Sequence, residues 1–463
     1  MATETKVLLV IGGSDAGISA ALRVKELKPE IEVNVFLEDE FPNLSICGLP
    51  YAISGYVADW HDLAHRKLAE LTATGIHFFM NTTVDKINPG QHEILLHARK
   101  GETQTCHYDF LLVATGAKPR LSGIAGIDQA DSRIHVLHTM ADYFAIEKSL
   151  SSPDQHKAAI IGAGYIGIEM AEALRKRQLE VTLFQRSSEI LATVDANLGH
   201  IVQEKLTENQ VRVITNTAIK KIQSTAAGVS LTGQKATEIT HYDDFDLVLI
   251  VTGVQPNSQL LADAGAQLNP NNHAVAVDEF MHTTLPDIWA AGDLVQTYHQ
   301  LLGMTYLPLG TTAHKQGRVA GSVIAGYPRA FQGIVGTQVL KAFDLIVART
   351  GLLDREAVEA GFSPLSVTSN VDDHKAYFPG AHKIKIRITG DRRTGQLLGA
   401  QLIGHFGSEV AKRNDVFATA IANKLTVSQI SDLDLSYSPP VGSPWDAIQI
   451  AAQNWEKASL EQA

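Results

Sequence analysis

Apolar runs that end in glycine punctuate the chain. The run VLLVI (residues 7–11) leads into Gly12, Gly13, Ser14, Asp15, Ala16 and Gly17. The amphipathic stretch ISAALRVKELKP predicts a helix with Pro29 at its end, and EVNVFLEDE predicts an alternating strand. The same order returns about 150 residues later. AAII (158–161) precedes Gly162, Ala163, Gly164, Tyr165, Ile166 and Gly167, then a helical IEMAEALRKRQ and a strand-like EVTLFQR. Each is a βαβ unit, and the separation is too long for a solenoid repeat. The pattern predicts two nucleotide-binding domains in one chain.

Three further strands end in tight turns: YDFLLVATGAKPR (108–120), FDLVLIVTGVQPN (245–257) and TLPDIWAAGDL (284–294). Beyond about residue 328 the pattern alternates with glycines at turns, which predicts antiparallel strands, and 407–425 predicts a helix. The last part is therefore expected to be an α+β domain.

Composition narrows the function. With 463 residues, two or three domains are expected. The 39 basic and 50 acidic residues leave a net charge of −11, which argues against nucleic acid as a partner. No stretch reaches 18 consecutive apolar residues, so no membrane span is expected. The opening segment reads as a buried strand and not as a signal peptide, so the expected compartment is the cytoplasm. Only Cys47 and Cys106 are available for thiol chemistry, too few for a disulfide framework or a zinc site of their own. His61 and His65, spaced i, i+4, lack an accompanying carboxylate motif and read as a polar face; no metal is expected. The basic strand KIKIRITGDRR (383–393) likewise reads as a solvated face.

The glycines have physical roles. In G-x-G-x-x-G, the first makes the turn, the second admits a pyrophosphate and the third lets helix pack on strand, while the helix N-terminus offers free N–H donors. Gly162, Gly164 and Gly167 meet the pattern; Gly12, Ser14 and Gly17 meet it with serine in the middle. The acid expected to bind a ribose is Glu38 or Asp39 in the first unit. In the second, Gln185 and Arg186 stand there; Arg186 favours a 2′-phosphate and Gly167 favours its absence, with the balance toward NADPH over NADH.

These cradles, the turns Ala114-Thr115-Gly116 and Thr252-Gly253, and Ala291-Gly292-Asp293 resemble the FAD-dependent pyridine nucleotide–disulfide oxidoreductases. Cys47-Gly-Leu-Pro-Tyr51, Tyr377-Phe-Pro-Gly380 and the segment from Tyr437 to Asp446 resemble their single-cysteine branch: coenzyme A-disulfide reductases, persulfide reductases, NADH oxidases and peroxidases. The resemblance implies an α/β fold with two Rossmann-like domains, for FAD (1–117 and 256–328) and NAD(P) (118–255), plus a C-terminal α+β dimerisation domain (329–463). It implies FAD contacts at Gly12, Ser14, Ala16, Gly17, Glu38 or Asp39, Ala114, Thr115, Gly116, Gly292 and Asp293. Nicotinamide-cofactor contacts are implied at Gly162, Gly164, Tyr165, Ile166, Gly167, Gln185, Arg186 and Gly253.

The implied reaction is reduction of a small disulfide or persulfide, like coenzyme A-disulfide, by NADPH or NADH through Cys47. With one cysteine, the oxidised form is a mixed disulfide, persulfide or sulfenic acid. A helix expected to begin near Cys47 would stabilise its thiolate. Tyr437 and Tyr377 are implied catalytic groups delivered by the partner in a homodimer, and Tyr51 a wall of the flavin pocket. Cys106, in a polar stretch, is expected to be incidental. Two departures matter. Asn43 and Ile46 stand where coenzyme A-disulfide reductases usually carry serine and asparagine. Asp15 stands where the oxidases and peroxidases carry a histidine, and a carboxylate with an ordinary pKa near 3.9 cannot do an imidazole's work. An NAD(P)H oxidase or peroxidase, or a flavin-bound redox sensor, is the alternative reading.

Overall fold

The computed structural model describes residues 5–98, 101, 103–121, 123–127, 131–152 and 155–461. The first apolar run becomes the centre of a five-stranded sheet ordered Ile288–Ala290, Phe110–Val113, Val7–Ile11, Glu32–Phe36 and Ile76–Phe79. Neighbours run parallel. Strands covered on both faces need continuous apolar runs, and Leu8, Val10, Val33, Leu111 and Leu112 are fully buried. The helix Asp15–Leu27 lies against a long helix, Gly310–Ile324. Their backbones meet directly: a Cβ on Gly317 would stand 2.1 Å from the Ala16 carbonyl oxygen, and one on Gly321 2.5 Å from that of Ala20.

The second unit repeats the plan in the order Val211–Ile214, Glu180–Phe184, Lys157–Ile161, Leu247–Ile250 and Ile134–His135. The chain passes from the first sheet to the second along Ala117–Pro119 and returns along Val254–Pro256. These segments pair antiparallel, with Pro119 opposite Val254 and Ala117 opposite Pro256.

The C-terminal sheet is antiparallel, ordered Gln338–Ala342, Leu345–Gly351, Leu397–His405, Lys383–Asp391 and Pro364–Asp372. Helices Val410–Ala422 and Ala447–Glu461 cover it. The former starts later than its apolar spacing predicts, because Glu409 before it takes a left-handed φ of 53°. In strand Lys383–Asp391, Ile384, Ile386 and Ile388 are fully buried as the alternation predicts. The opposite face is not merely solvated: Arg387 Nε lies 3.1 Å from Asp195 Oδ2 and its Nη2 pairs with Asp354. Asp195 also accepts from Gln401 Nε2 at 2.6 Å, so this face docks on the second unit. Among the described residues no helix is long and apolar enough to cross a membrane.

Candidate active site

Both cradles close the same way. Gly12 has φ 110° and Gly162 φ 113°, conformations that an L side chain rarely adopts. A Cβ would meet the Ala114 carbonyl oxygen at 2.2 Å in the first and that of Val251 at 2.4 Å in the second. On Gly17 or Gly167, a Cβ would stand 1.9 Å from the carbonyl oxygen of Gly12 or Gly162. Ser14 and Gly164 cap the helices from extended conformations; the Ser14 hydroxyl caps none of the free N–H groups, and Gly164 has no side chain to do so. Those donors point to where an anion can sit. Ala16 is buried, while Tyr165 is half-buried and Ile166 exposed at the second helix start.

The turns around the cradles are locked from the other crossing. Thr115 Oγ1 donates to the Asn257 carbonyl at 2.7 Å, and Asn257 N–H donates to that of Gly116 at 2.9 Å. Gly116 and Gly253 have positive φ and nothing within 4 Å of a notional Cβ, so both turns face open space. Gly292 N–H donates to Gln316 Oε1 at 2.9 Å, which aims the next residue, Asp293. Burial, then the Asp15 charge, push the Asp293 carboxyl up to about 6, and only the Leu309 N–H offsets them. A carboxyl so short of donors, beside a cradle that a side chain would fill, fits the hydroxyls and phosphates of FAD.

At the strand ends, Asp39 Oδ1 accepts from Phe41 N–H at 3.1 Å, and Glu38 is exposed beside it. In the second unit, Gln185 Oε1 accepts from Ala163 N–H at 3.3 Å and its Nε2 donates to Ser187 Oγ at 2.7 Å, while Arg186 is exposed.

Cys47 lies in a single turn, Ile46–Gly48, and the helix that follows, Leu49–Ile53, has only five residues. That corrects the expected thiolate-stabilising helix. The sulfur reaches solvent but is hemmed in. Burial and then the charges of Glu169, Asp15 and Asp293 push its thiol above the ordinary value. Three carboxylate charges act on one sulfur in the same direction, and a short helix offers too little dipole to offset them.

Those carboxyls come from different places. Asp15 belongs to the first cradle, Asp293 follows the strand of the first sheet, and Glu169 belongs to the helix of the second cradle. Cys47 therefore stands where the two units face each other. Tyr51 O–H donates to Glu169 Oε1 at 3.1 Å, so Tyr51 is more than a wall. Burial pushes the Glu169 carboxyl up to about 7, against the pull of Tyr51. One helical turn on, buried Glu172 accepts from Tyr56 O–H at 3.0 Å and Phe343 N–H at 2.7 Å and pairs with Lys341. These links tie the cysteine loop, the second cradle and the C-terminal sheet together. Sequence reasoning missed Glu169 and Glu172. Their one signal was a pair of carboxylates within the otherwise apolar IEMAEAL.

Asp15 is not alone in place of an imidazole: His314 Nε2 lies 3.3 Å from its Oδ1. The ring reaches it from the neighbouring helix Gly310–Ile324, a contact that no local pattern reveals. Tyr377 and Tyr437 are exposed and stand close enough for Tyr377 to help raise the Tyr437 phenol, and Lys375 N–H donates to the Pro439 carbonyl at 3.3 Å between their loops. Neither tyrosine bonds Cys47 within the chain. Cys106 sits in strand Thr103–His107 opposite Ile94, and burial pushes its thiol up. His61 and His65 share no helix: the turn Trp60–Leu63 ends between them, and His61 Nδ1 lies 2.6 Å from Asp59 Oδ1.

Comparisons with known proteins agree with this geometry. Residues 6–317 match the family model for pyridine nucleotide-disulphide oxidoreductases, and residues 337–447 match that family's dimerisation domain. The chain is 32% identical over 457 residues to the NAD(P)H sulfur oxidoreductase (CoA-dependent) of Pyrococcus furiosus, covering 97% of this chain and 99% of that one. It is 29% identical to an NADH oxidase of Methanocaldococcus jannaschii, covering 96% and 98%. The solved NAD-dependent persulfide reductase of A. fulgidus superposes with a TM-score of 0.93 at 31% identity, over 98% of this chain and 84% of that one. With two matching cradles, one cysteine between them and both family models in register, this chain belongs to the FAD-dependent pyridine nucleotide–disulfide oxidoreductases.

Proposed function

We propose that the chain is an NAD(P)H-dependent reductase of a small disulfide or persulfide of the coenzyme A type, with Cys47 as its single redox sulfur. The carrying observation is that the segment bearing Cys47 bridges the two cradles: Tyr51, four residues on, donates to Glu169 of the second cradle's helix at 3.1 Å. FAD would be held by Gly12, Ser14, Ala16 and Gly17, by Glu38 or Asp39 at the ribose, and by the turns at 114–116 and 292–293. Residues 162–167, Gln185, Arg186 and Gly253 would hold the nicotinamide cofactor. When bound, FAD supplies the route by which the electron pair of NAD(P)H reaches sulfur.

The chain's own residues do the rest. The Cys47 thiol, which reaches solvent, first gives its proton to water, and the thiolate then attacks one sulfur of the substrate; that S–S bond breaks, a Cys47–substrate disulfide forms, and the other sulfur leaves as a thiolate. The electron pair then cleaves the mixed disulfide, returning Cys47 thiolate and a second substrate thiolate. Tyr437 and Tyr377 of the partner in a homodimer would protonate the leaving sulfur, a reading supported by the exposure of both phenols. NADPH is the preferred reductant because Gln185 spends its amide on the cradle, the strand end carries no carboxylate at 185 or 186, and Arg186 is exposed to meet a 2′-phosphate.

The test is Cys47→Ser. The variant should still be bleached by NAD(P)H and lose turnover with coenzyme A-disulfide and persulfide by at least about a hundredfold. Undiminished sulfur turnover would overturn the proposal. Oxygen uptake measured on both proteins decides the oxidase reading, which the imidazole at Asp15 keeps in play.

A further inference from the structure

Three side chains outside the proposed reaction converge beside the cysteine loop. Asp15 opens the helix Asp15–Leu27, His314 lies in the second turn of Gly310–Ile324, and His65 follows the turn Trp60–Leu63. One ligand atom from each lies within 4.8 Å of the others. We propose that Asp15, His65 and His314 form a site for a borderline divalent cation such as zinc, in preference to calcium or magnesium, with water completing the coordination.

The spacing carries the argument. A charge-assisted hydrogen bond between an imidazole and a carboxylate closes to about 2.7–2.9 Å. His314 Nε2 and Asp15 Oδ1 stand 3.3 Å apart. Ligand atoms bonded to zinc at about 2.0–2.1 Å in a tetrahedron stand about 3.3–3.4 Å from each other, so this edge already has the length that a metal needs. The other ring nitrogen of His314, Nδ1, is 2.8 Å from Ser19 Oγ. Metal-binding histidines are oriented in this way by a partner on the second nitrogen. The His65 ring stands edge-on to that of His314, with centroids 6.0 Å apart, so His65 completes the set by a small inward movement.

The frame behind the ligands is built. His65 N–H donates to the Asn43 carbonyl at 3.0 Å, and Asn43 N–H donates to that of Gly13 at 2.8 Å. Leu44 and Ala64 form a bridge alongside. His65 is exposed, and Asp15 and His314 are half-buried, which leaves a path for the ion and room for water. A bound ion would pin the end of the cysteine loop at His65 to the helices Asp15–Leu27 and Gly310–Ile324. Two imidazoles and a carboxylate suit zinc, cobalt and nickel over calcium or magnesium.

The experiment uses the FAD-loaded dimer in a Cys47→Ser background, so that the redox thiol cannot bind the metal. Calorimetric titration with Zn²⁺ should give one ion per chain, and Co²⁺ should give the absorption of a tetrahedral nitrogen–oxygen site. His65→Ala and His314→Ala should each weaken Zn²⁺ binding at least tenfold with FAD content unchanged. If His314→Ala fails to fold, His65→Ala on the loop surface decides alone. Fewer than one Zn²⁺ per chain, or an affinity that His65→Ala leaves unchanged, overturns the site.

Discussion

In the first cradle Ser14 caps its helix at φ −100° and ψ −156°; in the second Gly164 does so at −87° and −165°. The two backbones are the same, and the position that departs from the glycine pattern has negative φ in both. A serine is therefore admissible there, whereas Gly12 and Gly162 have no substitute. What separates the two lies around them. The first has Gly13, whose notional Cβ would strike Leu37 at 2.2 Å, and Glu38 and Asp39 at its strand end. The second has Ala163, Gln185 and Arg186. On the proposed assignment, one cage would serve two cofactors, with the side chains at the rim choosing between them.

Blocking each cage gives the largest expected effects. Gly12→Val should yield protein without flavin, seen as loss of absorbance near 450 nm. Gly162→Val should keep the flavin and lose its reduction by NAD(P)H by at least about a hundredfold, read by stopped flow. Loss of flavin from Gly162→Val would break the assignment of the two cages.

Arg186→Ala probes the rim. It should raise the KM for NADPH about tenfold, a cost of about 1.4 kcal/mol, and leave that for NADH within about twofold. Equal effects on both would remove Arg186 from the 2′-phosphate site.

Glu169 tests how the second cage acts on Cys47 in the first unit. A carboxyl raised to about 7 from an ordinary 4.5 binds a proton more tightly folded than unfolded. Its contribution to stability is present below about 4.5 and is lost as pH rises through about 7. Glu169→Gln should flatten the dependence of the melting temperature on pH across that window. It should also lower the Cys47 thiol pKa, because the Glu169 charge is among the causes that raise it. The pH profile of iodoacetamide alkylation measures this, and an unmoved midpoint would separate the two sites.

The smallest effect is expected at Ser14→Gly: FAD affinity within about threefold, since the conformation is open to both residues. A large loss would give the Ser14 hydroxyl a role that the backbone does not require.

Both cradles, the parallel sheets and the antiparallel C-terminal sheet were legible because local pattern dictates them. Gly12 and Gly17 show in the sequence as a spacing, and in the fold as carbonyls with no room for a Cβ. Cys47 was legible from its neighbours in the chain, but its electrostatics were not. Glu169 and Asp293 reach it from distant segments, and the helix invoked for the thiolate is too short. Asp15 read as the loss of an imidazole, because His314 arrives across a helix–helix contact set by Gly317 and Gly321. Arg387 read as solvated because its partner Asp195 belongs to another sheet unit.

The adjacent crossings at Ala117–Pro119 and Val254–Pro256 make the chain between them an insert with a shared doorway. A genetic exchange cut at those two strands would carry the choice of reductant as a cassette, while the sulfur, its loop and the flavin unit stay behind in the host. The contacts of Glu169 and Glu172 with Tyr51 and Tyr56, and those of Glu172, Lys205 and Asp195 with the C-terminal domain, would have to be matched by the newcomer.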